Sequence, residues 1–206
     1  MVSDYAYVAN SALVGSVTSP GHRAVNAFET GRNLLAAKVN ETLDEPTATV
    51  ITSYVYGLDA VGRRTAVSLS GSAFGNAPSG YGYLHDDYGE LLAANHSADS
   101  ARNRAYAYDP IGNRLWQTAG NEPLTQPPAE MPSTGVPTTY ETNSLNQYVA
   151  VASGGGVAEP IYDDDGNMLS FGEWAYSWDG ENRLAAAERH TGANPVSRIE
   201  FVYDHA

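Results

Sequence analysis

The chain contains no cysteine, and this absence excludes disulfide bonds, thiolate nucleophiles and cysteine-bound metals together. It does not identify the compartment, because a large secreted protein can be stable without disulfides. Long apolar runs are also missing, and none approaches the roughly 18 residues that a membrane-spanning helix requires. The first residues have neither the basic start nor the apolar run of a secretory signal peptide. We therefore expect no membrane span and no signal peptide in this sequence.

Positive charge is scarce along the chain. Eleven Lys and Arg residues stand against 24 Asp and Glu residues, which gives a formal net charge of −13, and Lys38 is the single lysine. A surface this acidic repels phosphate backbones, and no stripe of basic residues offsets it. We therefore expect no nucleic-acid partner.

Tyrosine and glycine are abundant, with 14 and 20 copies, whereas the chain has only four Phe and three Met residues. Such a composition suits half-buried pleated strands better than helices. Residues 106–115 show how these residues are used: Tyr106 and Tyr108 alternate, Asp109 and Gly112 follow, and Arg114 begins an outgoing strand. Variants of this pattern recur about every 25 residues, which is a repeat-sized spacing.

Each copy of the pattern predicts a β-hairpin with a tight turn between its strands. The predicted turn residues are Asp59, Gly62, Asp86, Gly89, Asp109, Gly112, Asn143, Asn146, Asp163, Gly166, Asp179 and Asn182. The predicted aromatic residues of the strands are Tyr54, Tyr56, Tyr81, Tyr83, Tyr106, Tyr108, Tyr162, Tyr176, Trp178 and Tyr203. These residues are interpreted as structural, with no catalytic residue and no cofactor among them.

The residue types explain the predicted turn. An Asp at the first position accepts hydrogen bonds from amides two or three residues on, and Gly or Asn takes the left-handed conformation that closes the hairpin. Alternating tyrosines share one face of a strand, so rings of neighbouring copies form columns, and polar turn residues supply partners for the phenols. We expect Arg64, Arg114 and Arg183, at the start of the outgoing strands, to pair with turn carboxylates of adjacent copies.

The pattern predicts an all-β chain. It also predicts that residues 1–206 form one array of about eight degenerate hairpin repeats, and we expect the last copy to be cut off after Tyr203 and Asp204. A proline-rich surface loop is expected at 120–139, because successive prolines do not fit a central strand. Residues 184–190 could form a short helix, but the repeat pattern favours a strand.

The motif at residues 108–115 resembles the YD repeat of Rhs proteins, as do its copies at 162–169 and 178–184. The resemblance covers almost the whole chain. It implies β-hairpins coiled into a spiralling antiparallel sheet, an open segment of the hollow β-shell that encloses a toxin in Rhs and toxin-complex proteins and serves adhesion in teneurins. It further implies neighbouring YD repeats and an enclosed toxin or effector polypeptide as partners. The parent protein would be bacterial, and secreted or associated with the cell surface.

Alternative chemistry was weighed against these structural roles. Asp163, Asp164 and Asp165 could be taken for a calcium loop, but consecutive acids on a tight turn point in different directions. His85 beside Asp86 and Asp87 lacks a second histidine at ligand spacing. No nucleophile elbow and no phosphate-binding loop occurs. We therefore expect a non-catalytic structural segment.

The competing hypothesis is a surface-binding module. Trp116, Trp174 and Trp178 could bind carbohydrate or a partner protein if they are exposed, and they fill aromatic columns if they are not. A segment of a spiral sheet also has unpaired edge strands, so the sequence predicts self-association through these edges.

Overall fold

The computed structural model describes residues 2–43, 47–75 and 79–204, so the last two residues of the final predicted repeat, His205 and Ala206, lie outside the described ranges. Within these ranges the chain has eighteen β-strands, two short 3₁₀ turns and no α-helix. The strands are β1 (Asp4–Tyr7), β2 (Val14–Ser19), β3 (His22–Phe28), β4 (Leu35–Thr42), β5 (Thr49–Leu58), β6 (Arg64–Ser70), β7 (Ser79–His85), β8 (Leu91–His96), β9 (Arg104–Tyr108), β10 (Arg114–Ala119), β11 (Val136–Thr142), β12 (Tyr148–Ser153), β13 (Gly156–Ala158), β14 (Ile161–Tyr162), β15 (Met168–Phe171), β16 (Trp174–Trp178), β17 (Leu184–Thr191) and β18 (Asn194–Glu200). The 3₁₀ turns are Ser72–Phe74 and Ser100–Arg102.

The strands follow one another in chain order in two open sheets. Strands β1 to β13 form the first sheet and β14 to β18 form the second, and consecutive strands pair antiparallel. A two-residue connection at Pro20 and Gly21 joins β2 to β3, for example, with Gly21 at φ 77°. The predicted fold class, an all-β array of antiparallel hairpins in an open sheet, is therefore confirmed.

The chain divides into two compact groups of residues. The first consists of Met1–Ala105 and Ala119–Gly135, and the second of Tyr106–Thr118 and Val136–Ala206. In the described part of the first group the buried apolar side chains are Val67, Leu92, Ala93, Ala94 and Ala105, and in the second they are Ala186 and Ala187. Because these side chains are few and mostly small, the half-buried aromatic residues and the strand ladders carry much of the packing.

One predicted segment differs from the structure and another agrees with it. The proline-rich loop is shorter than the predicted 120–139, because β11 already begins at Val136. Pro137 lies ahead of Thr138, where the pairing with β12 begins, so its missing N–H costs no bond to β12. Residues 184–190 form part of β17, as the repeat pattern predicted.

A buried polar network holds the proline-rich loop of the first group. Asn103 is fully buried, its Oδ1 accepts from the backbone N–H of His96 at 2.7 Å, and its Nδ2 donates to the carbonyl of Asn121 at 2.8 Å. Asn95 exchanges two further bonds with the backbone of Leu124, at 2.6 and 3.0 Å. Side-chain amides thus satisfy the backbone groups of a segment that has no strand partner.

Candidate functional site

Six predicted turns share one backbone geometry. In each, the first residue donates its N–H to the carbonyl four residues on and accepts from the N–H three residues on, as in Asp109, whose two bonds measure 2.8 and 3.1 Å. The fourth residue is left-handed, with φ between 86° and 92° for Gly62, Gly89, Gly112 and Gly166, and 67° and 58° for Asn146 and Asn182. This is the three-residue hairpin loop that combines a type I turn with a glycine bulge.

The first side chain of each turn caps the loop. Oδ1 of Asp109 accepts from the amides of Ile111 at 3.0 Å and Asn113 at 2.8 Å. Asn143 makes the same two bonds with its amide oxygen, at 2.9 and 3.0 Å. The sequence predicted caps on the amides two or three residues on, whereas the observed caps reach the amides two and four residues on. The N–H three residues on is not available, because it donates to the backbone carbonyl of the first turn residue. A neutral amide oxygen serves as well as a carboxylate, so the position needs an acceptor rather than a charge.

These hydrogen bonds favour the ionised form of the turn carboxylates. The Asn113 side chain and nearby backbone N–H groups hold the pKa of Asp109 below its ordinary value, and Asn167 does the same for the pKa of Asp163. Hydrogen bonds from Arg63 lower the pKa of Asp59, and those from Arg183 lower the pKa of Asp179. At neutral pH these groups are therefore ionised acceptors, and they are poorly suited to donate a proton.

The lowered pKa values predict a dependence of stability on pH. A carboxylate with a folded-state pKa below its unfolded value of about 3.9 stabilises the fold above that pH and loses this contribution as the pH falls through the folded-state pKa. We expect Asp109→Asn to reduce the change in unfolding free energy between pH 7 and pH 3, measured by urea denaturation. The mirror variant Asn143→Asp should enlarge that change, and parallel curves for all three chains would contradict the assignment.

In several turns the residue that follows the left-handed position links one turn to the next. Arg63 donates to Oδ2 of its own Asp59 at 2.7 Å and to the carbonyl of Asp86, in the next turn, at 2.7 Å. Asn167 bonds Oδ2 of Asp163 at 3.1 Å and Oδ1 of Asn182 at 3.0 Å. The further links of the described chain run from Asn113 to Asn146 and from Arg32 to Asp59 and Ala60. We call this series of bonds between turns the turn ladder.

The arginines expected to make such links behave differently. Arg64 and Arg114 stand one position further along and place their guanidinium groups over tyrosine rings, Arg64 over Tyr56 at 4.2 Å and Arg114 over Tyr106 at 5.1 Å. Adjacent residues of a strand face opposite sides, which is why Arg63 reaches the turns and Arg64 does not. Arg183 pairs with Asp179 of its own turn at 2.8 Å. The predicted pairing with adjacent copies is therefore wrong for these three arginines.

A second kind of bond fastens three aromatic residues that stand directly before the Asp of the repeat. The phenol of Tyr162 donates to the carbonyl of Tyr148 at 3.1 Å, the indole of Trp178 to the carbonyl of Met168 at 2.8 Å, and the phenol of Tyr203 to the carbonyl of Leu184 at 2.9 Å. Each acceptor is the first residue of the outgoing strand of the preceding hairpin. We call this bond the aromatic latch. The latch of Tyr162 joins β14 of the second sheet to β12 of the first.

Sequence reasoning missed the latch. It predicted that polar turn side chains would satisfy the phenols, whereas in all three latches the partner is a backbone carbonyl. A signal was present, since Tyr162, Trp178 and Tyr203 each stand directly before an Asp and each carry a polar hydrogen at the end of the ring.

The other predicted aromatic residues lie on half-buried strand faces. Tyr54 meets Phe74 edge-on with centroids 5.6 Å apart, and Tyr81 and Tyr83 lie nearly parallel at 6.2 Å. Tyr108 lies at the end of β9, and Tyr176 on β16 is paired with Ala187 of β17. The three tryptophans are half-buried as well, and the indole N–H of Trp178 is used by its latch.

No metal-ligand cluster is formed by the described residues. Groups of three or more His, Asp or Glu side chains in suitable positions do not occur among them. Both carboxylate oxygens of Asp163 accept hydrogen bonds within its own turn. Asp164 and Asp165 line an open cleft with Leu145. His85 ends β7 opposite Leu91. Among these residues no helix is long and apolar enough to cross a membrane.

Comparison with solved structures finds a similar fold in part of a TcdB2-TccC3 chain. The chain matches the TcdB2-TccC3 structure without its hypervariable C-terminal region at 13% identity with a TM-score of 0.50, over 95% of this chain and 12% of that one. A Tc holotoxin pore structure from Photorhabdus luminescens matches at 14% identity with a TM-score of 0.48, over 95% and 12% of the two chains. The chain thus spans about an eighth of the length of the solved chains it matches.

Sequence comparison gave no such match: no protein-family model matches the chain, and no curated protein matches it. The likeness is therefore one of fold, and the hairpin sheet of this chain resembles part of the TcdB2-TccC3 chain.

Proposed function

We propose that the chain is a non-catalytic structural segment of an Rhs/YD-repeat shell, which encloses or presents another polypeptide. The observation that carries this proposal is the combination of turn ladder and aromatic latch. Both kinds of bond run from one hairpin to its neighbour in the sequence. The recurring polar residues of the pattern therefore hold successive hairpins together. The fold likeness to the TcdB2-TccC3 chain supports the same role.

The chemistry of the turns also favours a structural role. A catalytic carboxylate needs a free oxygen near substrate and a pKa suited to proton transfer. In Asp59, Asp163 and Asp179 both oxygens accept hydrogen bonds within the turn, and the lowered pKa keeps each group ionised. The parent protein would work outside the producing cell, either secreted or at the cell surface, with neighbouring YD repeats and an enclosed toxin or effector polypeptide as its partners.

Limited proteolysis of the natural full-length protein tests this function. The enclosed polypeptide should resist protease until the sheet itself is cut or unfolded, because a closed wall excludes the enzyme. Turn variants such as Asp163→Ala should expose it at lower denaturant concentrations, in proportion to their loss of stability. Unprotected cargo in the unmodified protein, or a catalytic activity of this chain that one substitution removes without loss of stability, would contradict the proposal.

The sheet edges predict association of the chain with itself. Strand β18 pairs only with β17 among the described strands, and all seven of its residues are exposed, including Val196 and Ile199 at 54% and 50%. Unpaired N–H and C=O groups on such a strand recruit another strand. We expect sedimentation velocity to show association that increases with concentration and that Ile199→Lys reduces. Val149→Lys, on the inner strand β12, is the control, and equal effects of the two variants would contradict edge pairing.

A further inference from the structure

Strand β18 has one paired edge and one open edge. The N–H of Phe201 donates to the carbonyl of Ala185 at 3.0 Å, so the backbone groups of Phe201 point towards β17. These groups alternate in direction along a strand, and the register with β17 is regular between Arg198 and Glu200. The backbone groups of Ile199 therefore also point towards β17, whereas those of Arg198 and Glu200 point away. The open edge offers the N–H and C=O groups of these two residues to another strand.

The residues of this edge match their own sequence in reverse order. The run from Ser197 to Phe201 reads Ser-Arg-Ile-Glu-Phe and has Ile199 at its centre. When two copies pair antiparallel with Ile199 opposite Ile199, Arg198 of each copy lies opposite Glu200 of the other. Residues directly opposite each other share a face, so the opposite charges meet on one face and Ile199 and Phe201 lie on the other. The outward-pointing backbone groups of both copies meet at this same register.

Other pairings of this edge lose the match. The neighbouring registers that still form a ladder place Arg198 opposite Arg198 or Glu200 opposite Glu200, and like charges directly opposite each other destabilise a strand pair. Strand β1 stands at the end of the first sheet, but its single charged residue, Asp4, can pair with Arg198 alone. A second copy of β18 is therefore the partner strand that satisfies both charges.

The side chains that would meet are accessible. Every residue of β18 is exposed, with Ile199 at 50%, and Phe201 follows at 40%. Arg198 forms ion pairs with Glu188 of β17 and with Glu200 of its own strand. In the paired arrangement a second Glu200 lies on its open side, so the guanidinium stands between carboxylates of both neighbouring strands. A row of alternating charges of this kind contributes more than a single exposed ion pair.

We propose that two copies of the chain form a two-fold symmetric dimer through β18, with Ile199 at the axis. The backbone groups of Arg198 and Glu200 in each copy exchange hydrogen bonds with those of Glu200 and Arg198 in the other. The two Ile199 side chains meet on the apolar face. Because both copies use the same surface, association through β18 ends at the dimer. This interface fixes the partner, direction and register of the edge pairing; it goes beyond the shell role and does not depend on it.

The absence of cysteine allows a direct cross-linking test of the axis. Opposite residues of a non-hydrogen-bonded antiparallel pair have Cα atoms about 4.5 Å apart, which a disulfide can span. We expect Ile199→Cys, in the full chain, to form a disulfide-linked dimer when oxidised glutathione is added as the electron acceptor. Non-reducing gel electrophoresis and mass spectrometry measure its rate of formation.

Ser197→Cys is the matched control, because Ser197 is exposed on the same face of the same strand. In the dimer the two copies of residue 197 are four positions out of register, about 13 Å apart, which a disulfide cannot span. Cross-linking of Ser197→Cys should therefore be at least about tenfold slower than that of Ile199→Cys, since its thiols meet only by random collision.

A charge exchange tests the register independently. Arg198→Glu and Glu200→Arg each place like charges opposite each other, so each should weaken self-association in sedimentation velocity by at least about tenfold. An equal mixture of the two variants should restore association to within about threefold of the unmodified chain, because every Arg then faces a Glu of the other variant. Rescue by mixing is not expected of a variant that has merely lost its fold.

The dimer is overturned if Ser197→Cys cross-links as fast as Ile199→Cys, or if the mixed charge variants associate no better than each does alone. A chain that remains monomeric at about 1 mM, weaker than most specific contacts, would also overturn it. Larger assemblies that are lost together with the Ile199→Cys cross-link would indicate pairing of β18 with β1 and would overturn it too. Should Arg198→Glu fail to fold, the comparison of the two cysteine variants decides alone.

Discussion

Replacing Gly80 by alanine is expected to destabilise the first group of strands by about 2–3 kcal/mol, the cost of forcing an added methyl group into a packed interior. Gly80 is buried in β7, and a Cβ there would overlap the carbonyl oxygen of Val67 and come within 3.2 Å of the Ser68 Cα. These are backbone atoms of the neighbouring strand β6, so relief requires the two strands to separate. Equilibrium urea denaturation measures the effect.

The same strand supplies the matched control. A Cβ at Gly82, two residues further along β7, would have no neighbour within 4 Å. Gly82→Ala should therefore be neutral or stabilising by up to about 1 kcal/mol, because alanine restricts the unfolded chain more than glycine does. Equal destabilisation by the two variants would show that β6 and β7 do not approach each other as described.

Replacing Asn103 by alanine is expected to cost about 2–4 kcal/mol, since it empties buried volume and leaves buried polar groups unpaired. The backbone N–H of His96 and the carbonyl of Asn121 would lose the partners that Asn103 provides at 2.7 and 2.8 Å. Because Asn121 belongs to the proline-rich loop, the variant should also become sensitive to proteolysis within residues 120–135. Thermal and urea denaturation, followed by mapping of the cleavage sites, give both readouts.

Asn194→Ala provides the comparison for this substitution. Asn194 is exposed on the edge strand β18, so its removal should change stability by no more than about 0.5 kcal/mol. If Asn103→Ala proves equally mild, or if cleavage appears elsewhere first, the buried amide network does not hold the loop.

The contrast between turns and loop shows what could be predicted from the sequence. The hairpins were predictable because an acceptor residue followed three positions later by Gly or Asn favours one local turn conformation, as at Asp109 and Gly112. The burial of Asn103 was not predictable, because its partners His96 and Asn121 lie on two different segments and depend on tertiary packing. Pro137 was assigned to a loop for a sound local reason, yet the strand accommodates it ahead of Thr138, the first residue paired with β12.

The candidate site was predicted at the level of residue types and not of contacts. The aromatic and turn positions were recognisable, but a shift of one residue distinguishes Arg63, which joins the turn ladder, from Arg64, which lies over the Tyr56 ring. The sequence alone does not indicate which of two adjacent arginines faces the turns, because that depends on the strand register. The latch needed the same information, since its acceptors are backbone carbonyls on a preceding hairpin.

The latch of Tyr162 fastens its hairpin to the preceding one, and hydrogen exchange of the Tyr162→Phe chain is the sharpest test of this bond. This change keeps the ring and removes only the donor to the Tyr148 carbonyl. We expect amide protection in β14 and β15 to fall about five- to tenfold, the equivalent of about 1 kcal/mol for one lost hydrogen bond. The control Tyr88→Phe, at a residue that is 88% exposed, should leave protection unchanged. Undiminished protection of β14 and β15 in Tyr162→Phe would show that the latch does not hold the two hairpins together.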